Sequence, residues 1–122
     1  MKTILIVDDE PSVRFMIKEM IEPVGYEVIE AGDGAEAYNI CNNNALDLIV
    51  SDIVMPEKNG IDLIIQLKKE FPSIPVIAIS GGGGVAGHYD YLEIAKLVGA
   101  NNILKKPFSA KEICAHIENA LL

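Results

Sequence analysis

Three short apolar runs limit this chain more than any other feature: Ile4-Leu5-Ile6-Val7, Leu48-Ile49-Val50 and Val76-Ile77-Ala78-Ile79. They are rich in β-branched residues, which favour strands. None of them alternates between polar and apolar positions. A strand without alternation is buried on both faces, the mark of a parallel sheet covered by helices on either side. Two weaker strand candidates lie at 26–30 and 102–104.

Helical patterns fill the gaps between these runs. Val13, Met16, Ile17, Met20, Ile21 and Val24 recur at three- and four-residue spacing, with Pro11 suited to a first turn and Gly25 as a stop. Residues 33–43, 61–71 and 89–98 give a second, third and fourth helix. Ser109 with Glu112 forms the capping-box pattern for a fifth, whose stripe is Ile113, Ile117 and Leu121. The order is βα five times over, which implies one parallel sheet with right-handed crossovers.

At 122 residues the chain is the size of one domain, and its 50% hydrophobic content excludes disorder. The formal charge of −8 argues against a protein that grips a phosphate backbone directly. That charge is uneven: residues 1–70 carry 14 acidic and 6 basic side chains, whereas residues 71–122 carry 4 of each. Ordinary solubility accounts for some of this, and a gathering of carboxylates around a cation would account for the rest. Cys41 and Cys114 fit no zinc or redox spacing and are expected to be buried free thiols. No signal peptide or membrane-length apolar stretch is visible, so a cytoplasmic protein with no membrane partner is expected. Nothing follows Leu122 in this sequence. The expectation is a domain that acts by binding partners, or a piece of a longer chain.

In open parallel α/β sheets, ligands bind beyond the carboxyl ends of the strands. The strand ends here offer Asp8-Asp9, Ser51-Asp52, Ser80 and Lys105-Lys106-Pro107. Aspartates in such turns also serve as helix N-caps, and Lys105 reads as a solvated neighbour of Lys106. Gathered at one rim, however, the acids would repel. Two like charges about 4 Å apart cost roughly 4 kcal/mol at an effective dielectric of 20. A cation would relieve this, and oxygen donors suit Mg²⁺. Metal, lysine and hydroxyl together meet the needs of phosphoryl transfer, and a carboxylate can itself be the nucleophile.

At these residues the sequence resembles the receiver domains of two-component response regulators, a CheY-like superfamily. The resemblance rests on Val7-Asp8-Asp9-Glu10, on Asp52-Ile53-Val54-Met55-Pro56 running to Gly60, on Ser80, and on Lys106-Pro107-Phe108. It extends from residue 3 to the end, so residues 1–122 are expected to form one receiver domain. It implies a flavodoxin-like (βα)5 fold with strand order 2-1-3-4-5 and helices on both faces. It also implies that Asp52 is the phosphoacceptor, fed by a histidine kinase or histidine phosphotransferase. By the same resemblance Asp9 and Asp52 are Mg²⁺ ligands, Asp8 acts through a metal-bound water, and the Val54 backbone carbonyl is a further ligand. Lys106 would contact the phosphoryl group, Ser80 would swing toward it, and Pro107 would follow a cis peptide bond. The family catalyses its own phosphoryl transfer and dephosphorylation and is not an enzyme in the usual sense. It reports its state through its last helices and strand to a downstream protein, here unknown.

Several positions depart from the family pattern. Ile103 stands where the family usually has a switch aromatic, and a branched aliphatic cannot turn a ring between pocket and solvent. Val54 and Gly82 occupy the positions that tune acyl-phosphate hydrolysis, and neither side chain orients a water. The expectation is a phosphoryl group that lasts minutes or more. Gly82–Gly87 imitates a dinucleotide fingerprint, but no acidic residue follows about 20 positions on and no P-loop lysine is present. A haloacid-dehalogenase-type phosphatase wants an acid where Val54 stands. A flavin-binding protein would be yellow. The remaining alternative is a pseudo-receiver that binds protein without being phosphorylated.

Overall fold

The computed structural model describes residues 1–53, 60–80 and 99–122. The expected fourth helix at 89–98 and the glycine-rich stretch before it, with Gly82 and Gly87, lie outside the described residues, as does Val54. The strands are β1 (Thr3–Val7), β2 (Glu27–Ala31), β3 (Leu48–Asp52), β4 (Val76–Ser80) and β5 (Asn102–Lys105). The described α-helices are α1 (Pro11–Ile21), α2 (Gly34–Asn43), α3 (Gly60–Glu70) and α4 (Ala110–Ala120). All strand pairs are parallel, in the order β2-β1-β3-β4-β5. Each expected strand is found, with ends shifted by one or two residues.

The two-sided burial of the strands follows from their pleat. Ile4 and Ile6 face one way, and pack with Leu48, Val50, Ile77 and Ile79 against Ile17 and Ile21 of α1 and Ile113 and Ile117 of α4. Leu5 and Val7 face the other way, and pack with Ile49, Val76 and Ala78 against Ala37 and Cys41 of α2 and Ile64 and Leu67 of α3. Alternate residues thus meet opposite helical layers, which is why no polar position could interrupt the runs.

The first helix is shorter than its apolar spacing suggests. It ends at Ile21, and Glu22–Val24 form a 3-10 turn. Pro23 is the cause: it has no N–H to continue the ladder, and its ring would strike the carbonyl four residues back. Val24, counted in the apolar stripe by its spacing, is 56% exposed as a result. Gly25 then turns the chain at φ 113°, a left-handed conformation that suits glycine. The second helix is capped by Asp33, which accepts from the Glu36 amide at 2.8 Å. Ser109 and Glu112 form the expected reciprocal capping box on α4, each bond 3.1 Å long. Replacing Ser109 with Ala should lower unfolding free energy by about 1 kcal/mol in urea titrations.

Cys41 is buried as expected, whereas Cys114 is only half-buried, with its thiol 3.7 Å from the Met20 carbonyl. Burial pushes the Cys41 thiol from its ordinary 9.0 up to about 11. Between these values the unfolded chain ionises while the folded one keeps its proton. The associated stability is present below pH 9 and is lost as pH rises toward 11. Urea unfolding at pH 8 and pH 10 should therefore show the wild type losing stability relative to Cys41→Ala, by at most about 1.4 kcal/mol per pH unit.

Candidate functional site

Parallel strands bring their carboxyl ends to one rim, and the rim collects side chains that are distant in sequence. Asp8 follows β1, Asp52 closes β3, Ser80 closes β4, and Lys106 follows β5. The Lys106 Nζ lies 3.5 Å from Asp8 Oδ2 and 3.7 Å from Asp52 Oδ2. Both carboxylates are almost fully enclosed, with side chains 2% and 6% exposed, and the Lys106 side chain is 20% exposed. Water is largely kept from the acids, so the ammonium between them acts in a medium of lower dielectric than at an open surface.

Backbone contacts hold this arrangement. The Asp8 amide donates to the Ala31 carbonyl at 3.1 Å, which ties the β1 end to the β2 end. Asp8 Oδ1 accepts from the Glu10 amide at 2.9 Å, so the carboxylate braces its own turn. On the other side, the Lys106 amide donates to the Ser80 carbonyl at 2.8 Å. That bond continues the β4–β5 ladder by one residue beyond the Ser80–Lys105 pair and fixes where the lysine side chain departs. The Lys106–Pro107 peptide is cis. Ser80 itself is buried at the last position of β4.

Asp8, Asp9 and Glu10 bring their carboxylate oxygens within 4.8 Å of one another, with Asp8 buried and the other two exposed. This set is made only of oxygen donors, part enclosed and part open to solvent. It fits a hard, partly hydrated cation such as Mg²⁺, which keeps several waters. Glu10 was not among the ligands expected from the sequence. Ile103 lies in β5 opposite Ala78 and is half-buried, packed on the α2–α3 side of the sheet.

Sequence reasoning missed the support beneath the acids. Arg14, in the first turns of α1, donates from Nη1 to the Asp8 carbonyl at 2.7 Å and from Nε to Glu30 Oε1 at 3.1 Å. Lys18, one turn on, approaches Glu30 Oε2 at 4.0 Å. Its signal was the i, i+4 pair of basic residues on α1 facing an acid on a neighbouring strand, which only the fold reveals.

Comparison with known proteins places the chain. Residues 4–118 match the response regulator receiver domain family. The chain is 39% identical over 120 residues to the probable transcriptional regulator ycf27 of Cyanophora paradoxa, covering 98% of this chain and 48% of that protein. It is 36% identical over 121 residues to the transcriptional regulatory protein CpxR of Escherichia coli K12, covering 99% and 50% of the two chains. The chain therefore spans about half the length of the curated relatives it matches. Among solved structures it superposes on the receiver domain of NtrX from Brucella abortus with a TM-score of 0.88 at 32% identity, covering 97% of each chain. A response regulator receiver domain protein from Clostridium thermocellum gives 0.86 at 32% identity, covering 99% of this chain and 94% of that one.

The chain belongs to the response-regulator receiver family of two-component systems, with the flavodoxin-like order that its resemblance implied. Receiver domains interact with histidine kinases and generally bind Mg²⁺ at an acidic site. Among the described residues, no helix is long and apolar enough to cross a membrane. Replacing Lys106 with Met removes the cation from between two buried carboxylates. It should cost about 1–3 kcal/mol of stability in urea titrations at neutral pH.

Proposed function

We propose that this domain accepts a phosphoryl group on Asp52 from a phosphohistidine, with Mg²⁺ bound, and conveys its state to a partner protein by a conformational shift. The donor is a histidine kinase or a histidine phosphotransferase. The observation that carries this reading is the single ammonium of Lys106 within 4 Å of both Asp8 and Asp52 at the strand-end rim.

In the transfer, a carboxylate oxygen of Asp52 attacks phosphorus. A P–O bond forms as the P–N bond breaks, and the departing imidazole nitrogen keeps the electron pair and takes up a proton. Lys106 donates to the phosphoryl oxygens and stabilises the charge spread over them. Asp9 and Asp52, with the Val54 backbone carbonyl that the family resemblance adds and Asp8 through a water, would hold Mg²⁺, and Glu10 would stand beside them. Such an ion would supply neutralisation of the equatorial oxygens and alignment of donor and acceptor. Phosphorylation replaces the single negative charge of the Asp52 carboxylate with a phosphoryl group carrying about −1.5 to −2, next to Lys106. Ser80 turns its hydroxyl toward that charge, and the population of conformers shifts. Hydrolysis returns the carboxylate and inorganic phosphate, so the domain turns over only its own phosphoryl group and is not an enzyme acting on separate substrates.

Ile103 has no ring to rotate, so the usual aromatic readout does not operate at this position. The partner downstream is a protein. Where relatives are named as transcriptional regulators, DNA would be met by another part of the longer protein and not by this acidic domain. A cytoplasmic setting suits a phosphohistidine donor.

Acetyl phosphate with Mg²⁺ should add about 80 Da, one phosphoryl group, to wild-type protein and nothing to Asp52→Asn, as read by intact mass. The adduct should persist for minutes or more once the donor is removed, because Val54 and Gly82 offer no side chain to orient a water. Absence of the adduct from wild type would shift the reading to a protein-binding pseudo-receiver. A lifetime of a few seconds would overturn the assignment of slow turnover.

A further inference from the structure

We propose that Arg14 is a positioning residue for the acidic site, acting through the backbone of the Asp8–Asp9 turn. The inference rests on the Mg²⁺-dependent reading above and deepens it. Arg14 reaches the turn from below, on the first turns of α1, and its side chain is only 18% exposed. Its Nη1 donates to the Asp8 carbonyl at 2.7 Å. That oxygen belongs to the peptide unit that ends on Asp9. A peptide is planar, so a bond to its oxygen restricts the tilt of the unit that carries the chain into Asp9.

The guanidinium is itself held in place. Its Nε donates to Glu30 on β2 at 3.1 Å. The Asp8 amide is meanwhile anchored to Ala31. Both faces of the Asp8 backbone are therefore fastened, one to β2 directly and one to β2 through Arg14 and Glu30. A planar fork serves two acceptors at a set angle, which a lysine ammonium on a flexible stem does not. Groups that orient metal-binding side chains from behind commonly cost 10–100-fold in affinity when removed.

Charge alone predicts the opposite sign. Arg14 is a cation near an acidic cluster, so neutralising it would strengthen Mg²⁺ binding if it acted only through its field. The test is Mg²⁺ affinity by isothermal titration calorimetry, with Mn²⁺ binding by electron paramagnetic resonance as a second readout. Wild type, Arg14→Gln and Arg14→Lys are compared, and thermal melting checks that each variant is folded. Both variants should bind about tenfold more weakly, and the retained charge in Arg14→Lys should not rescue affinity. Unchanged or tighter binding in Arg14→Gln, or full affinity in Arg14→Lys, would overturn the role. So would loss of folding in both, which would make Arg14 a residue of the fold. Wild type that binds neither ion would instead defeat the Mg²⁺-dependent reading itself.

Discussion

One ammonium holds two enclosed carboxylates at the rim of this sheet, and the site is organised around it. Asp8 and Asp52 come from strands that are neighbours in space but separated by 44 positions in sequence, and Lys106 comes from two strands further along the sheet. Neither acid would be comfortable there alone, since burying an unpaired charge costs more than folding can easily spare. Lys106 satisfies them in common without closing the cluster: Asp9 and Glu10 stay exposed beside Asp8. The proposed phosphorylation of Asp52 would place its added charge beside this ammonium.

The sheet meets this constraint with parallel topology. Because every strand runs the same way, every strand's carboxyl end arrives at the same rim, and the chemistry-bearing residues need only occupy strand-end positions. The strand interiors are left to packing alone. Their alternate residues serve two separate apolar layers, so the rim is supported from both faces of the sheet.

Much of this was legible in the sequence because it depends on local pattern. The two-sided runs of β1, β3 and β4, the capping box at Ser109 and the turn at Gly25 each declare themselves within a few residues. The order of Asp8-Asp9, Asp52, Ser80 and Lys106 pointed to one rim, where Lys106 meets Asp8 and Asp52. What was not legible depended on pairing across the fold. The stripe on α1 extended to Val24 by spacing, but Pro23 breaks the ladder and leaves Val24 in solvent. Cys114 has the composition of a core residue, yet it sits where α4 meets α1 with one side open. Arg14 looked like any charged residue on an exposed helix face, since only the approach of β2 brings Glu30 within reach and only the turn of β1 aims the Asp8 carbonyl at it.

The margins of the sheet carry a consequence of their own. Among the described residues β2 and β5 are the outer strands, and an outer strand offers backbone groups that another chain's strand can join. β5 is only four residues long, ends on an exposed Lys105, and is followed by Pro107, which has no N–H to offer. β2 carries Glu27 and Glu30 among its five residues. Charge at β2 and short length with a following proline at β5 thus discourage edge-to-edge pairing.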